Sequence, residues 1–151
     1  MKIILTAIVL RRSRTKADAF ETLIADYVAR ATRYTPVESQ LFDSEPDLLA
    51  WIAAQPGRVT PYVILLDSRG KQLSSEELAA ALRSHRDQGT QRLILAIGPA
   101  DGWSDQAKSR AALLLSLGRI TLPHQLARVV LAEQVYRGLT ILAGHPYHSG
   151  H

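Results

Sequence analysis

Leu93-Ile94-Leu95-Ala96-Ile97-Gly98-Pro99-Ala100-Asp101-Gly102-Trp103-Ser104 holds the plan of the fold in one stretch. The apolar run Leu93 to Ile97 has no polar alternation, which predicts a strand covered on both faces rather than a half-exposed one. Gly98 to Trp103 reads as the loop after it, and Ser104 has the side chain of a helix N-cap. A strand buried on both sides belongs to a parallel sheet flanked by helices.

Working outward, the same alternation repeats. Upstream, Ser74 and Glu77 form a capping box for a helix to about Gln88, broken at Gly89. Tyr62 to Leu66 is a near-continuous apolar strand ending at Asp67, with Ser68-Arg69-Gly70-Lys71 as a turn. Further back, Lys2 to Val9 is a buried strand followed by a basic loop from Leu10 to Lys16. Ala17 to Arg33 has apolar residues at helical spacing (Phe20, Leu23, Ile24, Tyr27, Val28). Val37 to Phe42 is a strand, and Asp43 to Gln55 a helix stopped by Pro56-Gly57. Downstream, the helix capped by Ser104 runs to about Leu115, Ser116 to Thr121 is a short strand, and Pro123 opens a helix to Tyr136. The order βαβαβαβαβα predicts one α/β domain over residues 1–151, with a mostly parallel sheet and no linker or separate binding module.

At 151 residues, 46% hydrophobic and 21% charged, the chain can bury a core and is not a disordered or collagen-like polymer. The absence of cysteine excludes a disulfide scaffold, a thiolate zinc site and a cysteine nucleophile. No apolar run approaches the length of a membrane span, and no cleavage-site pattern follows the first apolar residues, so a cytoplasmic protein is expected. The formal charge of +4 comes mainly from arginine, the side chain suited to forked phosphate contacts and base stacking. Arg11, Arg12, Arg14 and Lys16 cluster in one loop, and Glu133 is the only acid beyond Arg110. A polyanionic partner fits this distribution.

No G-x-G-x-x-G follows the first strand, and neither a G-x-x-x-x-G-K-[ST] loop nor an H-E-x-x-H helix occurs. What remains is a set of three loops after strands: Leu66 to Lys71, Gly98 to Trp103 and Gly118 to His124. Such loops are where α/β sheets bind ligands. The last continues into Thr121-Leu122-Pro123-His124, Leu126-Ala127-Arg128-Val129 and Ala132-Glu133-Gln134-Val135-Tyr136-Arg137, and the chain closes on Gly144-His145-Pro146-Tyr147-His148.

The run from Ile120 to Arg137, with the closing His-Pro-Tyr-His, closely resembles the RlmH-type SPOUT methyltransferases. In element order and length the resemblance extends over essentially the whole chain. It implies methylation of N3 of a pseudouridine in 23S rRNA with S-adenosylmethionine, on assembled ribosomes. It also implies a parallel sheet with helices on both faces, a C-terminal segment threading a trefoil knot, and a homodimer packed through that region. Carried over, Leu66 and Asp67 stand at the first cofactor loop and Gly98, Pro99 and Gly102 at the second. Gly118, Arg119, Ile120, Thr121, Leu122 and Pro123 wrap the cofactor. Glycines let backbone N–H groups approach a ligand, and Ile120 and Leu122 could pack on an adenine face. Four places depart from the family pattern. Pro99 replaces a glycine of the second loop, Gly144 a polar residue, and Ser149 an arginine. The loop before the second helix is short and acidic (Asp43, Glu45, Asp47).

The candidate catalytic residues each have a plainer alternative. His124 suits acid/base work or phosphate binding, or else simply bonds backbone at a helix end. Arg128, one turn on, suits RNA phosphate or a base carbonyl, or else is a solvated surface arginine. Glu133 and Arg137 have salt-bridge spacing, although Arg137 could still face a pocket. Tyr136 reads as core or dimer interface. His145, Tyr147 and His148 would border an active site, that of the partner subunit in the resemblance, with Tyr147 stacking on the base and a histidine taking the N3 proton. The alternative is a frayed terminus. His145, His148 and His151 have metal-compatible spacing but lack supporting ligands, so no metal is expected. Arg11, Arg12, Arg14 and Lys16 are the expected RNA contacts. Trp51 reads as core, and Trp103 as a shield for the pocket or a subunit interface. The competing functional readings are a SPOUT methyltransferase with another RNA target and a non-catalytic, knot-folded RNA- or ribosome-binding dimer.

Overall fold

A computed structural model describes residues 1–14 and 18–149. Its strands are β1 (Lys2–Ile8), β2 (Val37–Phe42), β3 (Tyr62–Gln72), β4 (Arg92–Ile97) and β5 (Leu113–Ser116). They form one sheet in the order β2-β1-β4-β3-β5, every adjacent pair parallel. The helices are α1 (Ala19–Ala31), α2 (Glu45–Ala53), α3 (Ser75–Asp87), α4 (Asp105–Arg110) and α5 (His124–Leu142).

The strands alternate between two cores. Ile3, Leu5 and Ala7 of β1 and Leu93, Leu95 and Ile97 of β4 pack with Ile24 of α1, Leu82 of α3 and Leu131, Val135 and Leu139 of α5. Ile8, Ala96, Val63 and Leu65 point the other way, against Leu48 and Leu49 of α2, Ala107 of α4 and Trp103. Both faces are therefore covered, which is why the central strands carry no polar alternation. Leu93, Ile94, Leu95 and Ala96 are each 0% exposed.

The caps at Ser74 and Ser104 form as expected. Ser74 Oγ accepts the Glu77 N–H while Glu77 Oε1 accepts the Ser74 N–H, and Ser104 Oγ accepts the Ala107 N–H. Four elements depart most from the sequence reading. The turn expected at Ser68 to Lys71 is bulged strand: Leu66 and Lys71 both stand opposite Leu115, so β3 continues to Gln72. The helix after Ser104 ends at Arg110 rather than near Leu115, because Leu113-Leu114-Leu115 pairs with β3, and the expected strand from Ser116 to Thr121 is loop beyond Ser116. Helical preference in an Ala/Leu run gave way to pairing at a sheet edge. The last helix continues past Tyr136 to Leu142 and ends before Gly144, whose φ is +70°. Gly138 lies within it where a Cβ would stand 3.0 Å from Leu82, so a small residue there lets α3 and α5 approach closely. The basic loop begins with a 3-10 turn at Arg11–Ser13.

Candidate functional site

The loops following β4 and β5 and the bulged segment of β3 meet beyond the carboxyl ends of these strands and enclose an open pocket of about 620 Å³. That volume lies in the range of pockets for drug-sized ligands. Leu66, Asp67, Gly98, Pro99, Gly102, Gly118, Ile120, Thr121, Leu122 and His124 all line it, as the sequence reading requires. Arg119 and Pro123 do not; both are exposed, and Pro123 serves as the N-cap position of α5. Sequence reading missed Lys108 of α4, and it saw Ser68 and Arg69 only as turn residues. No motif marks Lys108; only the short α4 brings it to the rim.

Backbone conformation explains the glycines at two of these positions. Gly102 has φ +89° and Gly118 φ +128°, with nothing within 4 Å of where a Cβ would stand. Space is thus left for a ligand beside both. Pro99 opens a tight turn in which its carbonyl accepts the Gly102 N–H at 2.9 Å. That bond asks the proline for an acceptor, not for the donor it lacks. Asp67, its side chain 12% exposed, accepts the Arg69 N–H at 2.8 Å and faces Lys108 Nζ at 3.8 Å.

His124 stands at the first position of α5, with Nε2 2.8 Å from the Gly98 carbonyl oxygen. A carbonyl only accepts, so Nε2 carries the hydrogen and Nδ1 is the acceptor of the neutral ring. The backbone-bonded reading of His124 is the one observed, and the bond fixes the tautomer of a residue that also lines the pocket.

Arg128 is neither a solvated surface residue nor part of this pocket. Its side chain is 4% exposed and bonds Glu21 of α1 and Gln125. Helical spacing placed it on the face of His124, but α1 covers that turn and supplies the carboxylate a buried guanidinium needs.

The remaining candidates gather elsewhere, over α3 and α5. Arg137 bonds Glu133 through Nη2 at 2.6 Å and Nε at 2.9 Å, and lies over the Tyr147 ring at 4.9 Å. Tyr147 donates its hydroxyl to Glu133 at 3.0 Å and packs edge-on against Tyr136. Burial and that hydrogen bond push the phenol up to about 12, so it remains a donor at neutral pH. Arg137 Nη1 donates to His148 Nδ1 at 2.9 Å, which leaves Nε2–H of His148 facing Glu76 Oε1 at 2.7 Å. That contact holds the Glu76 carboxyl below its usual range. His145 Nδ1 accepts the Tyr147 N–H at 3.1 Å. The tail is tied down through its side chains rather than frayed. None of these four residues, Arg137, His145, Tyr147 or His148, lines the pocket of its own chain.

In the basic loop, Arg14 bonds the Val9 carbonyl and Asp43, and Arg11 reaches Asp43 at 3.5 Å. Arg11 and Arg12 are exposed, whereas Arg14 is committed to holding the loop. Lys16 lies outside the described residues, as does His151. Among the described residues no group of three His, Asp or Glu is placed to hold a metal, and no helix is long and apolar enough to cross a membrane.

Residues 1–148 match the family model described as "Predicted SPOUT methyltransferase". The chain is 54% identical over 138 residues to "Ribosomal RNA large subunit methyltransferase H" of Koribacter versatilis (strain Ellin345), covering 91% of this chain and 94% of that protein. It is 41% identical over 147 residues to the protein of the same name from Geobacter sp. (strain M21), covering 89% and 93%. Among solved structures, a probable methylase family protein from Haemophilus influenzae Rd KW20 has a similar fold. The TM-score is 0.54 at 8% identity, over 98% of this chain and 70% of that one.

Proposed function

The chain belongs to the SPOUT methyltransferase family, and from that premise we propose that it methylates N3 of a pseudouridine in 23S rRNA. S-adenosylmethionine would be the methyl donor and the assembled ribosome the substrate. The observation that carries this reading is the convergence of the loops after β4 and β5 with the bulged segment of β3 on a pocket of about 620 Å³ with His124 in its wall. The donor set suits S-adenosylmethionine. Open space beside Gly102 and Gly118 admits a ligand against backbone, and Leu66 and Leu122 offer apolar contact. Asp67 adds a carboxylate for hydroxyl or cationic groups. When bound, the cofactor supplies an electrophilic methyl on a sulfonium.

The chain's own residues must do the rest. Loop backbone orients the reactants, which is worth much of the barrier in a two-substrate reaction. The imide nitrogen N3 has to lose its proton as it is alkylated, and Nδ1 of His124, the ring nitrogen not engaged by the Gly98 carbonyl, would take it. Negative charge gathering on the uracil carbonyls is met by Lys108 and Arg69 at the rim. Arg11 and Arg12 serve as phosphate contacts, with Arg14 as their support.

The reading includes a homodimer, the C-terminal trefoil knot and a cytoplasmic site of action. Phe20 and Leu23 of α1, Tyr34 after it and Leu126 of α5 are large, apolar and exposed on the single chain, which supports a covering partner. Arg137, His145, Tyr147 and His148 would then complete the partner subunit's site. Within the SPOUT domain read over 1–151, recognition falls to the dimer and the folded ribosome surface.

The test is transfer of labelled methyl to ribosomes from a strain lacking its own enzyme, followed by mass-spectrometric mapping of the nucleotide. Label on N3 of one 23S pseudouridine is expected. Label on another nucleotide would move the target. Ribosome binding with no transfer would leave the non-catalytic binder.

A further inference from the structure

Trp103 is 7% exposed, and its indole touches both of the first two pocket loops. Nε1 donates to the Leu66 carbonyl at 2.9 Å, at the residue where β3 leaves regular register with β5. The ring itself rests on Gly98. A Cβ built there would stand 2.6 Å from Cε2 and 2.9 Å from Nε1 and Cδ2. Gly98 has no positive φ to explain it, so its lack of a side chain is required by the indole rather than by the backbone. Gly98 in turn carries the carbonyl that fixes His124. Trp103 also belongs to the core of α2 and α4 with Leu65, Ala96 and Ala107.

We propose that Trp103 is a positioning residue of the cofactor pocket: its indole clamps the Leu66 and Gly98 backbones at one separation and, through the Gly98 carbonyl, sets the orientation of His124. The inference rests on reading this pocket as the S-adenosylmethionine site. A carbonyl at a break in the ladder has lost regular pairing on one side, and a buried indole N–H needs an acceptor, so the bond satisfies both groups. The glycine-indole contact leaves no slack for the two segments to approach further.

The experiment uses the full chain with Trp51→Phe, which makes Trp103 the only tryptophan. In that background Trp103→Phe keeps an aromatic ring but deletes the donor. Replacing Trp103 with 3-benzothienylalanine removes the N–H with almost no change of shape, which covers the case in which the phenylalanine variant fails to fold. Backbone hydrogen exchange is followed at 66–70 and 98–103 without ligand, and S-adenosylmethionine affinity is measured by calorimetry. Loss of one hydrogen bond should speed exchange in both segments and weaken binding roughly threefold to tenfold, while exchange in α3 stays unchanged. In the Trp51→Phe protein, Trp103 emission should titrate with S-adenosylmethionine at the calorimetric dissociation constant. Unchanged exchange and affinity in the benzothienyl protein would overturn the clamp. So would faster exchange spread evenly over the chain, which marks a merely structural tryptophan. If the parent protein binds no S-adenosylmethionine, the cofactor reading fails by itself, and exchange in the two segments still decides the clamp.

Discussion

At Tyr147, burial and the Glu133 carboxylate act on one phenol in the same direction. Its value in the folded chain is about 12, against an ordinary value of 10.0. The proton is therefore held more tightly in the folded than in the unfolded chain. This contribution to stability is fully present below pH 10 and is lost as pH rises toward 12. Denaturant titrations at stepped alkaline pH should show the wild-type stability falling through that window, with the fall smaller in Tyr147→Phe. Equal slopes in the two proteins would mean that the hydroxyl contact with Glu133 does not hold the tail. The same residue shows how roles at this scale depend on neighbours. Tyr147 and His148 carry groups suited to catalysis, yet within one chain Arg137 covers the tyrosine ring and occupies His148 Nδ1. Arg128 makes the point more sharply, since its spacing to His124 was legible and the covering Glu21, distant in sequence, was not.

Elements whose signals are local were read correctly. The capping box at Ser74 and the cap at Ser104 depend on residues three apart, and both form. Ser74→Ala should cost about 1 kcal/mol, lowering the melting temperature by roughly 2–4 °C, as scanning calorimetry would show. No shift would mean that packing of α3 on α5 alone sets its start. The misread elements are those whose state is settled by a partner. Leu113 to Leu115 suits a helix until β3 offers a ladder, and Ser68 to Lys71 looks like a turn until β5 straightens it into a bulge. α5 outran its expected end because Gly138, a helix breaker by propensity, lies where Leu82 leaves little room. The pocket survived these errors because its loops hang from strand ends that buried apolar runs define. Arg119 and Pro123 fell outside it for a related reason, since spacing alone cannot say which way a loop residue turns.

For the whole molecule, the account requires two chains. Leu23 is 46% exposed in the single chain and makes an apolar surface with Phe20 on α1. Leu23→Asp should leave the fold intact and shift the protein from dimer to monomer in light scattering, with methyl transfer lost if the tail works on the partner's pocket. A monomeric wild-type protein, or a dimeric variant, would contradict that arrangement.

The central claim is that the bulge of β3 and the loops after β4 and β5 form a cofactor site, and calorimetric titration of the wild-type protein with S-adenosylmethionine tests it most directly. The account predicts saturable binding at one site per chain in the micromolar range, weakened by Gly118→Val, which strains a backbone at φ +128° and sets a side chain in the open space beside it. Absence of binding, or binding indifferent to that substitution, would contradict it.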